Sequence, residues 1–333
     1  MSPTTILAPP VPRHILAVRK HPSTHLSDSP SDNISVSYTD KGANAVLLDY
    51  PPGAYTAMRT FDRVGIMDFS GHVDRLVSSL SQIHFPESEQ ADIAEAVTVR
   101  RGLAPYRDAE TLKTEMAELV RAALKAYYQQ SSGLDEAKVT VLCTWNTLTN
   151  EPLVIAQVEP LKIPTERRCK VKVHGSPRHH ATAKDSQWVR DRTALEASLS
   201  KDMNEALLLD DASQDLYEGL SSNLFAFDGA RQTIITAPLD SVLKGTILKV
   251  VLAVCEEQKI PIEFKFPNLK HFDEWEGAFI TSTSRLVLPI ETIVLPNGSE
   301  KVFGESKVID LIRTLVLQEC KKRVEAILTG DDI

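Results

Sequence analysis

The amino-acid sequence predicts two α+β domains with a cleft between them. Three observations carry that expectation. The chain has 333 residues, 42% of them hydrophobic, enough to bury two cores. Strand-like and helix-like segments interleave without a regular βαβ rhythm. A polar, proline-punctuated stretch, KIPTERR from Lys162 to Arg168, interrupts them near the middle and reads as a linker. The expected domains are residues 34–161 and 169–333, with the linker at 162–168.

Residues 1–33 read as a flexible arm, because six prolines break any helix there. The arm has no acid before Asp28, so an organelle transit peptide is the competing expectation. In the first domain, NAVLLDY and GAYTAMRTF read as strands. SGHVDRLVSSLSQI places Val73, Leu76, Val77, Leu80 and Ile83 on one helical face, with Ser70 as the expected N-cap. RDAETLKTEMAELVRAALKAYYQQ is a long amphipathic helix, followed by strands AKVTVLCTW and LVIAQVEPL. The second domain reads as short strands: CKVKVHG, EALLLD, NLFAFD, QTIITA, IPIEFKF, GAFITST and RLVLPI. The helix GTILKVVLAVCEEQK lies among them, and VIDLIRTLVLQECKKRVEAIL closes the chain as another.

Charge and cysteine usage narrow the function. The net charge of −8 disfavours nucleic acid and anionic membranes as partners. No apolar run approaches the ~20 residues that span a bilayer. Cys143, Cys169, Cys255 and Cys320 lack metal-site spacing and read as reduced thiols, consistent with the cytoplasm and with no metal.

Several pieces could together hold a phosphorylated aromatic cofactor. In LKGTILK, Gly245 turns the chain and Thr246 and Ile247 open a helix whose first N–H groups attract an anion. In TSTS, Ser282 and Thr283 offer hydroxyls at a strand end. In HVDRL, Arg75 can grip phosphate through two bonds. In ATAKDSQW, Lys184 sits among small and aromatic neighbours, where a desolvated amine can form a Schiff base. Singly, each is also an ordinary junction, turn, solvated arginine or surface lysine. Glu218, isolated from basic residues in YEGLSSNLF, then gains a purpose. A carboxylate there could hold the protonated ring nitrogen of pyridoxal phosphate.

With those residues in view, the chain resembles the class IV, fold-type IV aminotransferases, which use pyridoxal 5'-phosphate. The resemblance runs from GAYTAMRT to TSTSRLVLPI. It rests on the spacing Glu-x-x-x-x-Asn-Φ-Phe from Glu218, the LxG at Gly245, and HxxRLxxS at Arg75. It implies an α+β two-domain fold with the cofactor in the interdomain cleft. Lys184 would bind the cofactor covalently, and Glu218 would meet its ring nitrogen. Arg75, Thr246, Ile247, Ser282 and Thr283 would hold its phosphate. Tyr55 and Trp145 would lie on the substrate side, and a second copy would complete a homodimer. The implied activity is amino transfer between an amino acid or amine and a keto acid. A lyase of the aminodeoxychorismate type, and a non-catalytic cofactor-binding relative, are the alternatives.

Departures from the family pattern bear on those alternatives. Gln187 replaces a common asparagine after the lysine, and Lys244 replaces a common proline before Gly245. Trp145 stands where D-amino acid aminotransferases place a carboxylate-binding arginine. Tyr55-Thr56 replaces an aromatic-Glu pair and is closer to the lyase pattern.

Overall fold

The order of elements begins with strands β1 (His14–Arg19) and β2 (Ile34–Thr39) and helix α1 (Ala43–Asp49). Strands β3 (Gly53–Phe61) and β4 (Gly65–Met67) follow, then helices α2 (Phe69–Gln82), α3 (Ile93–Leu103) and α4 (Ala109–Tyr128). The hairpin β5 (Ala137–Asn146) and β6 (Glu151–Pro160) ends this half. The second half contains β7 (Cys169–Val173), α5 (Gln187–Asp191), α6 (Thr193–Ala197), β8 (Glu205–Asp210), β9 (Asp215–Gly219), β10 (Asn223–Asp228) and β11 (Thr233–Thr236). It continues with α7 (Thr246–Glu257), β12 (Ile262–Phe264), β13 (Trp275–Ser282), β14 (Leu286–Val294), β15 (Glu300–Val302), α8 (Lys307–Lys322) and β16 (Val324–Ala326). This is a computed structural model describing residues 13–19, 33–85, 93–130, 133 and 135–332.

The first sheet has seven strands in the order β16-β4-β3-β5-β6-β1-β2. Helices α2 and α4 cover one face. Leu76, Leu80, Met116, Leu119 and Val120 pack there with Met58, Val139 and Val141. On the opposite face Tyr55, Leu142 and Ile155 pack with Val46 and Leu47 of α1 and Val189 of α5. Burial on both faces explains why AKVTVLCTW is almost continuously apolar. Helix α4 begins where Asp108 accepts a hydrogen bond from the Thr111 amide, a side-chain N-cap.

In the second half, β10-β13-β14-β7-β8-β9 form a ring, closed where Asn223 of β10 pairs with Glu218 of β9. Alternation decides what each strand does. Leu224, Ala226, Ala278 and Ile280 join one core with Val171 and Leu207. Phe225, Phe227 and Phe279 turn the other way, against Val250 and Val251 of α7 and Ile312 and Val316 of α8.

The structure corrects several sequence expectations. NAVLLDY is mostly helix, not strand. Ala43, Val46 and Leu47 are buried at helical spacing, and Pro51-Pro52 follow the helix. A run that short cannot be typed by periodicity alone. The arm is not flexible throughout. HILAVR is a strand between β6 and β2 that buries Ile15 and Ala17, and Arg19 pairs with Glu115 of α4 at 2.8 Å. The transit-peptide expectation rests mainly on residues outside those described. The last helix stops at Lys322, and β16 crosses to the first sheet, pairing Val324 with Met67. The second domain therefore does not run unbroken to residue 333. Ser70 is not the N-cap of α2. Asp68 occupies that position, and Glu325 of β16 accepts from the Ser70 amide at 2.7 Å and hydroxyl at 2.6 Å. A carboxylate from the far end of the chain thus meets the positive end of α2.

Among the described residues no helix is long and apolar enough to cross a membrane, and no cluster could hold a metal ion. All four cysteines are buried and free.

Candidate active site

Between the two sheets lies a cavity of about 300 Å³. Its lining includes Tyr55, Arg75, Lys184 and Glu218, and further round Thr246, Ile247, Ser282 and Thr283. One expected residue, Trp145, is not there. It is buried with Val99 and Leu103 in the core under the helices. Parity is the reason. Val139, Val141, Cys143 and Trp145 share the helix-covered face of β5, whereas Lys138, Thr140 and Leu142 face the other way. The substrate-side assignment of Trp145 is therefore wrong.

Lys184 is held by its backbone. The N-terminal end of β3 has a free edge, because β4 pairs only from Thr60 onward. The segment 184–186 lies along that edge. The Tyr55 amide donates to the Lys184 carbonyl at 2.9 Å, and the Ser186 amide to the Gly53 carbonyl at 2.8 Å. The Lys184 amide donates to the Ser79 hydroxyl of α2 at 2.9 Å. The side chain enters the cavity with its ammonium 4.9 Å from the Tyr55 ring centre. Loss of water lowers its pKa to about 8; Tyr55 opposes this, while Arg75, Arg192 and Arg178 reinforce it. Burial raises the Tyr55 hydroxyl, but Lys184, Arg192 and Arg178 outweigh burial and bring it down to about 8.

Glu218 is 4% exposed. One oxygen accepts from Arg178 Nε at 2.7 Å, the other from the Leu243 amide at 3.2 Å. Burial raises its pKa against the pull of Arg178. Arg178 also donates to the carbonyls of Ala181 and Ala183, just before Lys184. The carboxylate and the lysine are thus braced by one guanidinium, which sequence reasoning missed. Its only sequence signal is a position six residues before Lys184.

The opposite end is cationic. Arg75 donates to the Thr56 hydroxyl at 2.6 Å and to His72 Nδ1 at 3.0 Å. An arginine cannot accept, so His72 is neutral at Nδ1, in keeping with burial and Arg75 holding its pKa well below the ordinary value. The Arg75 Nε is buried without a hydrogen-bond partner among the described residues. The N-terminus of α7 lies in the same cavity, with Gly245 as its N-cap and no side-chain cap. A Cβ at Gly245 would stand 2.3 Å from Asn223 Oδ1, so only glycine fits. Asn223 fixes this turn by donating to the Leu243 carbonyl at 2.7 Å. Thr281 also lines the cavity with a buried, unpartnered hydroxyl, one residue before the expected Ser282 and Thr283.

The departures now have places. Gln187 hydrogen-bonds Asp191 one turn along α5 at 2.9 Å, a local helix role. Lys244 is exposed. Thr56 faces Arg75 and His72 at the cationic end, so it does not discriminate between substrates. Arg285 pairs with buried Glu205 at 2.6 Å, and Ser221 and Ser222 donate to the same carboxylate. That group ties the Ser282–Ser284 loop to the loop after Glu218, and sequence reasoning missed it.

Known proteins share this architecture. The branched-chain aminotransferase of the thermophilic archaeon Thermoproteus uzoniensis with norvaline superimposes with a TM-score of 0.65 at 16% identity, covering 88% of this chain and 97% of that one. The fold IV-transaminase CpuTA1 from Curtobacterium pusillum gives 0.66 at 15% identity, over 93% and 99%. A hypothetical aminotransferase from Mycobacterium tuberculosis in its PLP-bound form gives 0.64 at 13% identity, over 92% and 99%. No curated protein matches the chain by sequence. The family described as amino-transferase class IV matches residues 53–293, which include Tyr55, Arg75, Lys184, Glu218, the α7 N-terminus and the Thr281–Ser284 loop. The chain belongs to the class IV aminotransferases.

Proposed function

We propose that the protein is a pyridoxal-phosphate-dependent aminotransferase that moves an amino group between an amino acid or amine and a keto acid. One observation carries this most. A buried arginine lacking a partner for its Nε lies beside an uncapped helix N-terminus, in the same cavity as a lysine of depressed pKa and a buried carboxylate. A dianionic phosphate, an aldehyde and a basic ring nitrogen are what those three features suit. When bound, pyridoxal phosphate supplies an electron sink conjugated to the substrate amine.

The chain's own residues do the rest. Arg75, the amides of Thr246 and Ile247, and the hydroxyls of Thr281, Ser282 and Thr283 bind and orient the phosphate. Glu218, braced by Arg178, stabilises positive charge on the ring nitrogen. The Lys184 amine, once free of the cofactor, holds the proton that leaves the substrate α-carbon and returns it one position further along. Tyr55 walls this space and shares the local charge with Lys184. A second copy of the chain is the proposed partner, and the cytoplasm the proposed compartment.

The test is spectroscopic and chemical. Purified protein mixed with pyridoxal phosphate should gain visible absorption that borohydride abolishes, with the label mapping to Lys184. A keto acid should then be required for turnover. Label on Lys138 or Lys244, or no label, would refute the assignment. Pyruvate released without an acceptor would point to the lyase, and cofactor uptake without turnover to a binding relative.

A further inference from the structure

The cavity has a wall whose chemistry the cofactor does not explain. It is the face of the first sheet that holds Tyr55, and cross-strand rows run down it. Tyr55 stands opposite Leu142, Ala57 opposite Thr140, and Arg59 opposite Lys138. On the next strand the rows continue with Ile155, Gln157 and Glu159. The first row is apolar and lies under the Lys184 ammonium. The next rows are polar. Ala57 contributes only a methyl group, which leaves the floor low between them.

Thr140 lines the cavity, is 3% exposed, and carries a hydroxyl with no hydrogen-bond partner among the described residues. A buried hydroxyl left unmet is costly, so a ligand group is expected to meet it. Lys138 lines the same wall. It spends one N–H on Glu159 Oε1 at 2.7 Å, leaving two donors. The other oxygen of Glu159 is engaged by the Ala43 amide at 3.0 Å and the Gln157 amide at 3.3 Å, which holds that carboxylate in place.

An aliphatic substrate side chain would satisfy neither Thr140 nor Lys138. A carboxylate accepts from both. Successive rows on one face are about 7 Å apart along the strand. That offset suits the reach of a four- or five-carbon dicarboxylic acid plus one hydrogen bond. We propose that Thr140 and Lys138 form a subsite for a second carboxylate, remote from the reacting carbon, so that the preferred donor or acceptor is dicarboxylic. The proposal rests on the aminotransferase reading and goes further by naming the substrate class.

Binding of unreactive acids tests it apart from turnover. Glutarate and pentanoate have equal chain length and differ by one carboxylate. Titrated calorimetrically into the cofactor-loaded protein, glutarate should bind roughly ten- to hundred-fold more tightly. Thr140→Val should abolish most of that preference while leaving pentanoate affinity unchanged, and Thr140→Ser should retain it. Lys138→Met should act like Thr140→Val. The double variant Lys138→Met/Glu159→Gln removes the pair together and covers misfolding caused by an orphaned Glu159. Turnover should follow, with glutamate losing kcat/KM and leucine keeping it. Equal affinity for both acids in the unaltered protein, or equal weakening of both by the variants, would overturn the subsite. Failure of the unaltered protein to take up pyridoxal phosphate would instead sink the aminotransferase reading beneath it.

Discussion

At the residue scale, Glu218, Arg75 and Lys184 divide the work by charge. Glu218→Gln keeps a hydrogen-bonding group but removes the negative charge next to the ring nitrogen. It should leave cofactor affinity nearly unchanged and lower kcat roughly 10²–10³-fold. Unchanged kcat would mean Glu218 only braces Arg178 and the Leu243 turn. Arg75→Ala should weaken pyridoxal phosphate binding roughly ten- to hundred-fold, a loss of about 1.5–3 kcal/mol. Pyridoxal, which lacks the phosphate, provides the control, and its affinity should not move. Lys184 predicts a pH dependence. With its pKa held near 8, the amine is protonated below that pH and nucleophilic above it. The rate of cofactor capture should rise through about pH 8 and then level off; a flat profile would exclude Lys184 as the reacting amine. The unfolded chain keeps this proton up to the ordinary lysine value of 10.5. It therefore binds more protons than the fold above about 8, so the cofactor-free protein should gain stability as pH rises through that window. Tyr55, also brought to about 8, acts with the same sign.

At the element scale, the free edge of β3 and the N-terminus of α7 place the chemistry. Gly245→Ala forces a methyl against Asn223 Oδ1. It should loosen the turn that aims the α7 amides and reduce cofactor affinity, measured by equilibrium titration. Strand β1 has a structural role, and Ile15→Ala should cost about 2–5 kcal/mol in denaturant unfolding. A loss under about 0.5 kcal/mol would mean β1 does not belong to the cooperative sheet. These elements also show what sequence can convey. The helices α2, α4 and α7 were legible because an amphipathic period of several turns is hard to mimic. The strand β1 was not, because prolines nearby outweighed six alternating residues. The helix α1 was not, because its seven residues span barely two turns. Trp145 was misplaced by a matter of parity, which spacing to a motif does not report.

At the scale of the whole molecule, the site exists only when both sheets are in place. Tyr55 and Arg75 come from the first half, and Glu218, Thr246 and Thr281 from the second. The motif spacing revealed most of this set, because each half carries its own recognisable piece. It could not reveal Arg178, Arg285 or Thr140, whose roles depend on what folding places opposite them. Cofactor binding should therefore stabilise the protein as a unit. At a hundred-fold excess over Kd the gain is about 2.7 kcal/mol, visible as one shifted transition. Two transitions, with only one responding, would show that the halves unfold separately.

The crossing of β16 has a consequence for the order of events on the ribosome. The first sheet contains β1, from near the start of the chain, and β16, from near residue 325. Its strand β4 and the head of α2 wait for Val324 and Glu325, which are among the last residues made. The closed ring needs nothing beyond its own strands between Cys169 and Val294. Synthesis therefore releases the later half ready to close while the earlier half still lacks an edge. Nascent chains stalled just before Val324 should already protect the ring against protease and leave the first sheet open, so the part translated first is the part completed last.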